Sequence, residues 1–343
     1  MRTLCPPTVA LPPHRVSTDE LITHFRHRYA THPRLDRALA LMQRTGVDNH
    51  WVSRPLTELS DTNGGHDNRV RRHHDDALTL SETAARRALD AAGITSRDVG
   101  WLVYAGAGGH TIPGIDVALI ERLGLPESTR RLPVTQMGCA GGAFAIARAA
   151  QLAQSTPGEH ILIVCADMFY PYIHPGDTGT DAMIFRGLIS DAAAACVIRT
   201  DNTGAPRLSI TDTWEYTAPG TRDIVGVDTR ADGWHLFNSP ALYDALTNAL
   251  PALTEWFGDT PQFVISHPGG PRILDTLGQA LGPHLLNHSQ ASLRELGNTG
   301  SASVLDVAAR FFRTPPSHSG EGFIFGVGPG LTLIACRCHW RTT

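Results

Sequence analysis

An α/β fold made of two similar halves is what this 343-residue sequence predicts. Helix-like and strand-like periods alternate through both halves. Within the first half lies a helix, Ala140 to Ala153, that is nearly all apolar. A helix without a polar face must be covered on every side, which happens between two sheets rather than on one.

The elements follow in order. Ser17-x-x-Glu20 is a capping box ahead of Leu21, Ile22 and Phe25, so a helix starts there. The polar stretch Ser60 to Asp76, rich in Gly, His and Arg, predicts a long exposed loop. A second capping box, Thr79-x-x-Glu82, opens a helix that runs to Ala92 and stops at Gly93. Trp101 to Tyr104 reads as a buried strand, Gly114 to Leu123 as a helix and Leu132 to Gln136 as a short strand. The central helix is followed by the strand His160 to Ala166. In the second half, Leu208 to Trp214 is a strand and Pro240 to Trp256 a helix. Gln262 to Ser266 is a strand, Arg272 to Leu281 and Ala302 to Phe312 are helices, and Gly322 to Cys336 closes as a hairpin. The halves divide as residues 1–200 and 201–343, with the boundary in the turn Thr200 to Pro206.

Composition narrows the function. Apolar residues make up 42% of the chain, enough for a continuous core, and a net charge of −4 with both signs interspersed offers no face for nucleic acid or a membrane surface. All 29 basic residues are arginine, which excludes Schiff-base lysines and lysine phosphate loops. No run approaches the length of a membrane span, and the expected location is cytoplasmic. The six cysteines are scattered through apolar segments and read as reduced thiols. Cys336-x-Cys338-His339 has the composition of a metal site, but strand alternation is expected to send these side chains to opposite faces, so no metal is expected.

Three positions carry chemistry. Cys139, in Gln136-Met-Gly-Cys-Ala-Gly-Gly142, follows a strand and opens the central helix. There the helix dipole and unpaired N–H groups are expected to lower its pKa toward the thiolate, and the flanking glycines let a substrate approach. His267 ends a strand in Ser266-His-Pro-Gly-Gly-Pro-Arg272, placed as a base. Asn298, in Leu296-Gly-Asn-Thr-Gly-Ser-Ala-Ser303, is either a helix N-cap or a donor in a site.

These three segments, with Gly326-Val-Gly-Pro-Gly-Leu-Thr332, resemble in order and spacing the signature segments of the chalcone synthase and type III polyketide synthase family. The likeness runs over nearly the whole chain, and its opening Thr3-Leu-Cys-Pro-Pro7 is similar to bacterial members. The resemblance implies a thiolase-like five-layered αβαβα fold and a homodimer. It implies an acyl-CoA starter and malonyl-CoA as substrates, with no cofactor beyond these thioesters. Cys139 would carry the acyl group, and His267 and Asn298 would stabilise the enolate left by decarboxylation. A ketoacyl synthase III or single-step acyltransferase of the same fold is the alternative, with an acyl carrier protein as partner. The Pro-Gly-Gly-Pro after His267 and the Gly-Pro-Gly-Leu-Thr segment favour the first.

The resemblance also assigns a substrate cavity. Ile189, in Leu188-Ile-Ser-Asp191, stands where many members have a gating phenylalanine, and Ala107 matches a second wall position. Asp167, Phe169, Tyr172, Gly233, Gly300 and Pro329 match other cavity positions, and Ile112 a position that reaches into the partner subunit. The rings of Phe169 and Tyr172 take up volume, so about one to three extensions are expected. Arg37, Arg44, Gly269 and Arg272 match the CoA-binding positions, where arginine can hold phosphate bidentately.

Overall fold

The computed structural model describes residues 2–59, 65–108, 111–173, 176–201 and 207–342. Along the first half run β1 (Thr3–Leu4), β2 (Thr8–Ala10), β3 (His14–Ser17), α1 (Thr18–Arg28), α2 (Leu35–Gln43), β4 (Asn49–Val52), α3 (Leu56–Leu59) and α4 (Gly65–Ala92). Then come β5 (Val99–Ala105), α5 (Ile115–Leu123), β6 (Arg130–Val134), α6 (Gly141–Ser155), β7 (His160–Asp167), α7 (Thr180–Arg186) and β8 (Ala192–Arg199). The second half holds β9 (Arg207–Thr217), β10 (Val225–Arg230), β11 (Gly233–Asn238), α8 (Ala241–Phe257), β12 (Phe263–Ser266), α9 (Pro271–Leu281), α10 (Asn287–Leu296), α11 (Ser303–Arg313), β13 (Gly320–Gly328) and β14 (Thr332–Arg341).

Strands β6, β5, β7 and β8 form one half of the main sheet and β9, β14, β13 and β12 the other, with two-residue β1 stitched between β8 and β9. Period-two alternation sets the layers. In β7, Ile161, Ile163 and Cys165 face the central core, while Leu162, Val164 and Ala166 face α4 and α5. In β14, Ile334, Cys336 and Cys338 face the same central core, while Leu333 and Ala335 face α8. Helices α6 and α11 lie between the two half-sheets, which gives five layers in the order αβαβα. The apolar α6 is thus buried on both sides, as its lack of a polar face requires.

The Ser17 capping box is present with both reciprocal hydrogen bonds. Two expectations need correction. Of Ser60 to Asp76, residues 65–76 are helix rather than loop, and 60–64 lie outside the described residues. The buried stripe His73, Ala77, Ser81, Ala84 and Ala88 continues at helical spacing through Thr79, whose hydroxyl donates to the Asp75 carbonyl inside the helix instead of capping it. A histidine, alanines and a serine carry that stripe, so its period was hidden in a polar run. The boundary turn after Thr200 lies largely outside the described residues.

The strand argument at the end of the chain also needs correction. Residues two apart share a face, so Cys336 and Cys338 lie together in the central core, and only His339 points away. Among the described residues no cluster of His, Cys, Asp or Glu could hold a metal ion, and no helix is long and apolar enough to cross a membrane.

Candidate active site

The chain leaves β6 through Gln136, held at φ +65°, and Gly138, at φ +50°, before a single 3-10 turn places Cys139 one turn ahead of α6. A positive φ at a residue other than glycine is backbone strain, and here it reverses the chain so that the sulfur ends in a cavity. Three glycines let the neighbouring segments close on this turn. A Cβ at Gly142 would stand 2.1 Å from the Ser301 carbonyl oxygen, and one at Gly328 would stand 2.7 Å from the Met137 carbonyl oxygen. At Gly326 it would meet the Ala143 side chain at 2.7 Å. The third and fourth signature segments therefore approach the cysteine turn because each contact has a glycine on one side.

His267 extends β12, and its N–H donates to the Phe325 carbonyl at 2.8 Å, continuing the parallel pairing with β13. The ring is fully buried, and neither ring nitrogen has a hydrogen-bond partner among the described residues. Gly269 leaves space beside Nε2: a Cβ there would stand 3.5 Å away. Asn298 is not a helix cap. Its backbone bridges Leu188 and Ser190, its Oδ1 accepts the Gly300 N–H at 2.9 Å, and its Nδ2 donates to Cys139 Sγ at 3.5 Å.

Burial dominates the titration of the site. The Cys139 thiol is pushed up to about 11 by desolvation, against the opposing hydrogen bond from Asn298. His267 is pushed down to about 3 by desolvation. The direction is thus opposite to the expected fall, because burial disfavours the thiolate more than the Asn298 hydrogen bond favours it.

Cys139, His267 and Asn298 share the wall of one cavity of about 500 Å³, in the range of small-molecule sites. Ala107, Phe169, Ile189, Pro329, Arg44, Gly269 and Arg272 also line it, as the sequence assigned. Others do not. Asp167 lies behind the wall, where it accepts from the Ala107 N–H at 2.7 Å and from the Ser301 N–H and hydroxyl at 2.7 and 2.6 Å. Burial raises its pKa to about 6. Gly300, at φ +61°, fits against Asp167 and Phe169, where any side chain would collide with both. Gly233 opens β11 away from the lining, and Tyr172 is buried behind Trp234. Ile112 is fully exposed on the protein surface. Arg37 lines a separate depression on the same α2 helix that ends at Arg44. Seven residues of helix place the two about 10 Å apart.

Sequence reasoning missed much of the wall. Val225, Val227, Trp234 and Leu236 come from the β10–β11 hairpin, and Ile184 and Phe185 from α7. The hairpin is short, with only part of one face apolar, so its period was too weak to read.

Layers and cavity together place the chain among the thiolase-fold acyltransferases. Residues 59–202 match the family model of the chalcone and stilbene synthases, N-terminal domain. The chain is 32% identical over 351 residues to 1,3,6,8-tetrahydroxynaphthalene synthase of Streptomyces coelicolor, covering 100% of this chain and 93% of that relative. It is 31% identical over 349 residues to phloroglucinol synthase of Pseudomonas fluorescens, covering 99% of each. The crystal structure of the S. coelicolor tetrahydroxynaphthalene synthase, a bacterial type III polyketide synthase, superposes with a TM-score of 0.94 at 32% identity, covering 99% of this chain and 100% of that one. Germicidin synthase of S. coelicolor, another type III polyketide synthase, superposes with a TM-score of 0.92 at 28% identity over 99% of each chain. The chain belongs to the type III polyketide synthase family.

Proposed function

We propose that Cys139, His267 and Asn298 extend an acyl-CoA starter with malonyl-CoA by decarboxylative condensation, through few rounds, to a short β-keto, pyrone or resorcinol-type product. The observation that carries the reading is the convergence of these side chains on one largely apolar cavity that also includes Arg44 and Arg272. The apolar lining matters because an enolate and a thioester both survive longer where water is excluded.

Burial keeps both Cys139 and His267 neutral at rest. The thiol therefore passes its proton to His267 as the sulfur attacks the starter thioester. The bond to CoA breaks and CoA leaves as its thiolate, to be protonated by solvent, while His267 keeps the thiol's proton on Nε2. Malonyl-CoA follows: its carboxylate departs as CO2, and the electron pair moves into the thioester enolate. Nε2–H of His267 and Nδ2–H of Asn298 donate to the enolate oxygen. The enolate carbon attacks the acyl-Cys139 carbonyl, the carbon–sulfur bond breaks, the chain leaves on CoA two carbons longer, and the proton held by His267 returns to the sulfur to restore the neutral pair. His267 needs a partner for its vacant ring nitrogens, and a substrate carbonyl supplies one.

Arg272 lies over the Tyr243 ring at 3.6 Å, which fixes its guanidinium at the cavity wall with its edges available to a CoA phosphate. Arg44 and Gly269 complete that side, and Arg37 extends it along α2. Ile112, exposed in the single chain, is assigned to the partner of a homodimer.

Mass spectrometry of the purified protein with malonyl-CoA and a panel of short, long and aromatic acyl-CoA starters tests the reading. An acyl adduct on the Cys139 peptide with products enlarged by successive ketide units is expected. An adduct without extension would move the assignment to simple acyl transfer or to a carrier-protein-bound extender.

A further inference from the structure

The Trp234 side chain belongs to no signature segment, yet it is the largest ring in the cavity wall. In the β10–β11 register, Val225 pairs with Asn238, Val227 with Leu236 and Thr229 with Trp234, so these side chains share one face. That face is the cavity face, because Val225, Val227, Trp234, Leu236 and Asn238 all line the cavity. Phe237 lies on the other face, over Gly226.

Trp234 does not stand alone. Its ring stacks on Tyr172 with centroids 4.6 Å apart and planes 29° from parallel, and Tyr172 meets His73 edge-on at 4.6 Å. The three rings come from β11, from the segment after β7 and from α4, and each is at most 4% exposed. Hydrogen bonds to backbone carbonyls hold the same three segments together. The Trp234 N–H donates to the Tyr172 carbonyl at 2.9 Å, and Arg69 of α4 donates to the Asp232 carbonyl in the hairpin turn. No slack remains behind the stack, since a Cβ at Gly108 would come within 2.6 Å of His73 and 3.0 Å of Tyr172.

We propose that Trp234 is a specificity-determining residue that sets how far the polyketide chain grows, and that Tyr172 and His73 are positioning residues that keep its ring in the wall. The inference rests on the polyketide reading above. A growing chain needs volume, and a wall that is one flexible ring can turn aside to provide it. A ring stacked on a neighbour that is itself fixed cannot, because moving it separates the contact with Tyr172 and leaves a void. Phe169 also lines the cavity, but no ring contact of this kind backs it among the described residues.

The test incubates Trp234→Leu, Tyr172→Leu and Phe237→Leu enzymes with one short acyl-CoA starter and malonyl-CoA, and quantifies each released ketide length by liquid chromatography and mass spectrometry. Trp234→Leu is expected to raise the ratio of longer to shorter products roughly tenfold or more, the scale on which apolar pockets discriminate chain size. Tyr172→Leu, whose ring does not line the cavity, is expected to shift the ratio in the same direction by less. Phe237→Leu, on the far face of the same hairpin, leaves it unchanged. An active Trp234→Leu enzyme with the wild-type ratio overturns the proposal, and so does an equal shift in Phe237→Leu, which would mean general loosening. Should Trp234→Leu fail to fold, Trp234→Phe and Tyr172→Leu decide in its place by the same ratio. If the wild type forms an acyl-enzyme but never extends it, the polyketide reading fails separately. The wall is then judged by the longest acyl group loaded on Cys139, which must increase in Trp234→Leu.

Discussion

Nδ2 of Asn298 points at Cys139 Sγ from 3.5 Å because Oδ1 of the same amide is held by the Gly300 N–H at 2.9 Å. One backbone donor thus fixes which end of the amide faces the sulfur. Replacing Asn298 with Asp keeps the acceptor for Gly300 and turns an oxygen toward the sulfur and the enolate. Folding should be nearly unchanged, while CO2 release from malonyl-CoA falls by about 10²–10³-fold, the usual cost of losing one oxyanion donor. An Asn298→Asp enzyme decarboxylating within about tenfold of the wild type would refute the donor role.

Cys139→Ala removes the nucleophile and leaves His267 and Asn298 in place. No acyl adduct should then form from any starter, while slow malonyl-CoA decarboxylation persists, because that step needs only the two donors. Intact-protein mass spectrometry reads the first outcome and headspace CO2 the second. Acylation of the alanine variant would show that another residue carries the chain.

The titration of buried groups makes an opposed pair of predictions for stability. His267 and His50 have folded pKa values of about 3 and about 4, below the ordinary 6.5, through desolvation. The unfolded chain binds more protons there, so stability present above pH 6.5 is lost as pH falls toward 4. Asp167 and Asp191 are both raised from 3.8 to about 6, again by desolvation. Their sign is reversed: the stability they contribute is present below pH 3.8 and lost as pH rises through 6. Between about pH 4 and 6 the pairs oppose each other at about 1.4 kcal/mol per pH unit per group. His267→Gln removes one histidine from this balance without breaking a hydrogen bond. Its stability relative to the wild type should therefore rise by up to about 1.4 kcal/mol for each unit of acidification between pH 6 and 4. Urea unfolding at several pH values measures the difference, and parallel profiles would contradict the assignment of His267 as buried and neutral.

How much of this was legible in the sequence depended on what each signal was made of. The Cys139, His267 and Asn298 segments were visible because glycine and proline punctuate strand ends, and the layers were visible because α6 has no polar side. The α4 stripe through His73 and Ser81 was not, since those residues do not count as apolar in a periodicity. Tyr172 was placed in the cavity by its match to a family lining position, whereas its ring turns back onto Trp234, a contact made across about sixty residues of chain that no local pattern encodes. The direction of the Cys139 pKa was misjudged for a related reason: the helix end is local and readable, but the desolvation that raises it comes from segments distant in sequence.

Gly328 shows how closely the last signature segment bears on the nucleophile. A Cβ at that position would stand 2.7 Å from the Met137 carbonyl oxygen and 2.8 Å from both Ala140 N and Ala140 Cβ, so it collides with the backbone on either side of Cys139. Backbone cannot rotate away as a side chain can, and the turn already contains Gln136 and Gly138 at positive φ. Gly328→Ala should therefore cost about 1–3 kcal/mol of stability, as overpacking does. The loss of activity should be larger than the loss of folded protein explains, because a displacement of about 1 Å at the sulfur is enough to lower the condensation rate about 10²-fold. Thermal unfolding gives the first quantity and single-turnover acylation of folded enzyme the second. If acylation stayed at the wild-type rate while stability fell, the contact between the Gly326 to Thr332 segment and the Cys139 turn would be structural only.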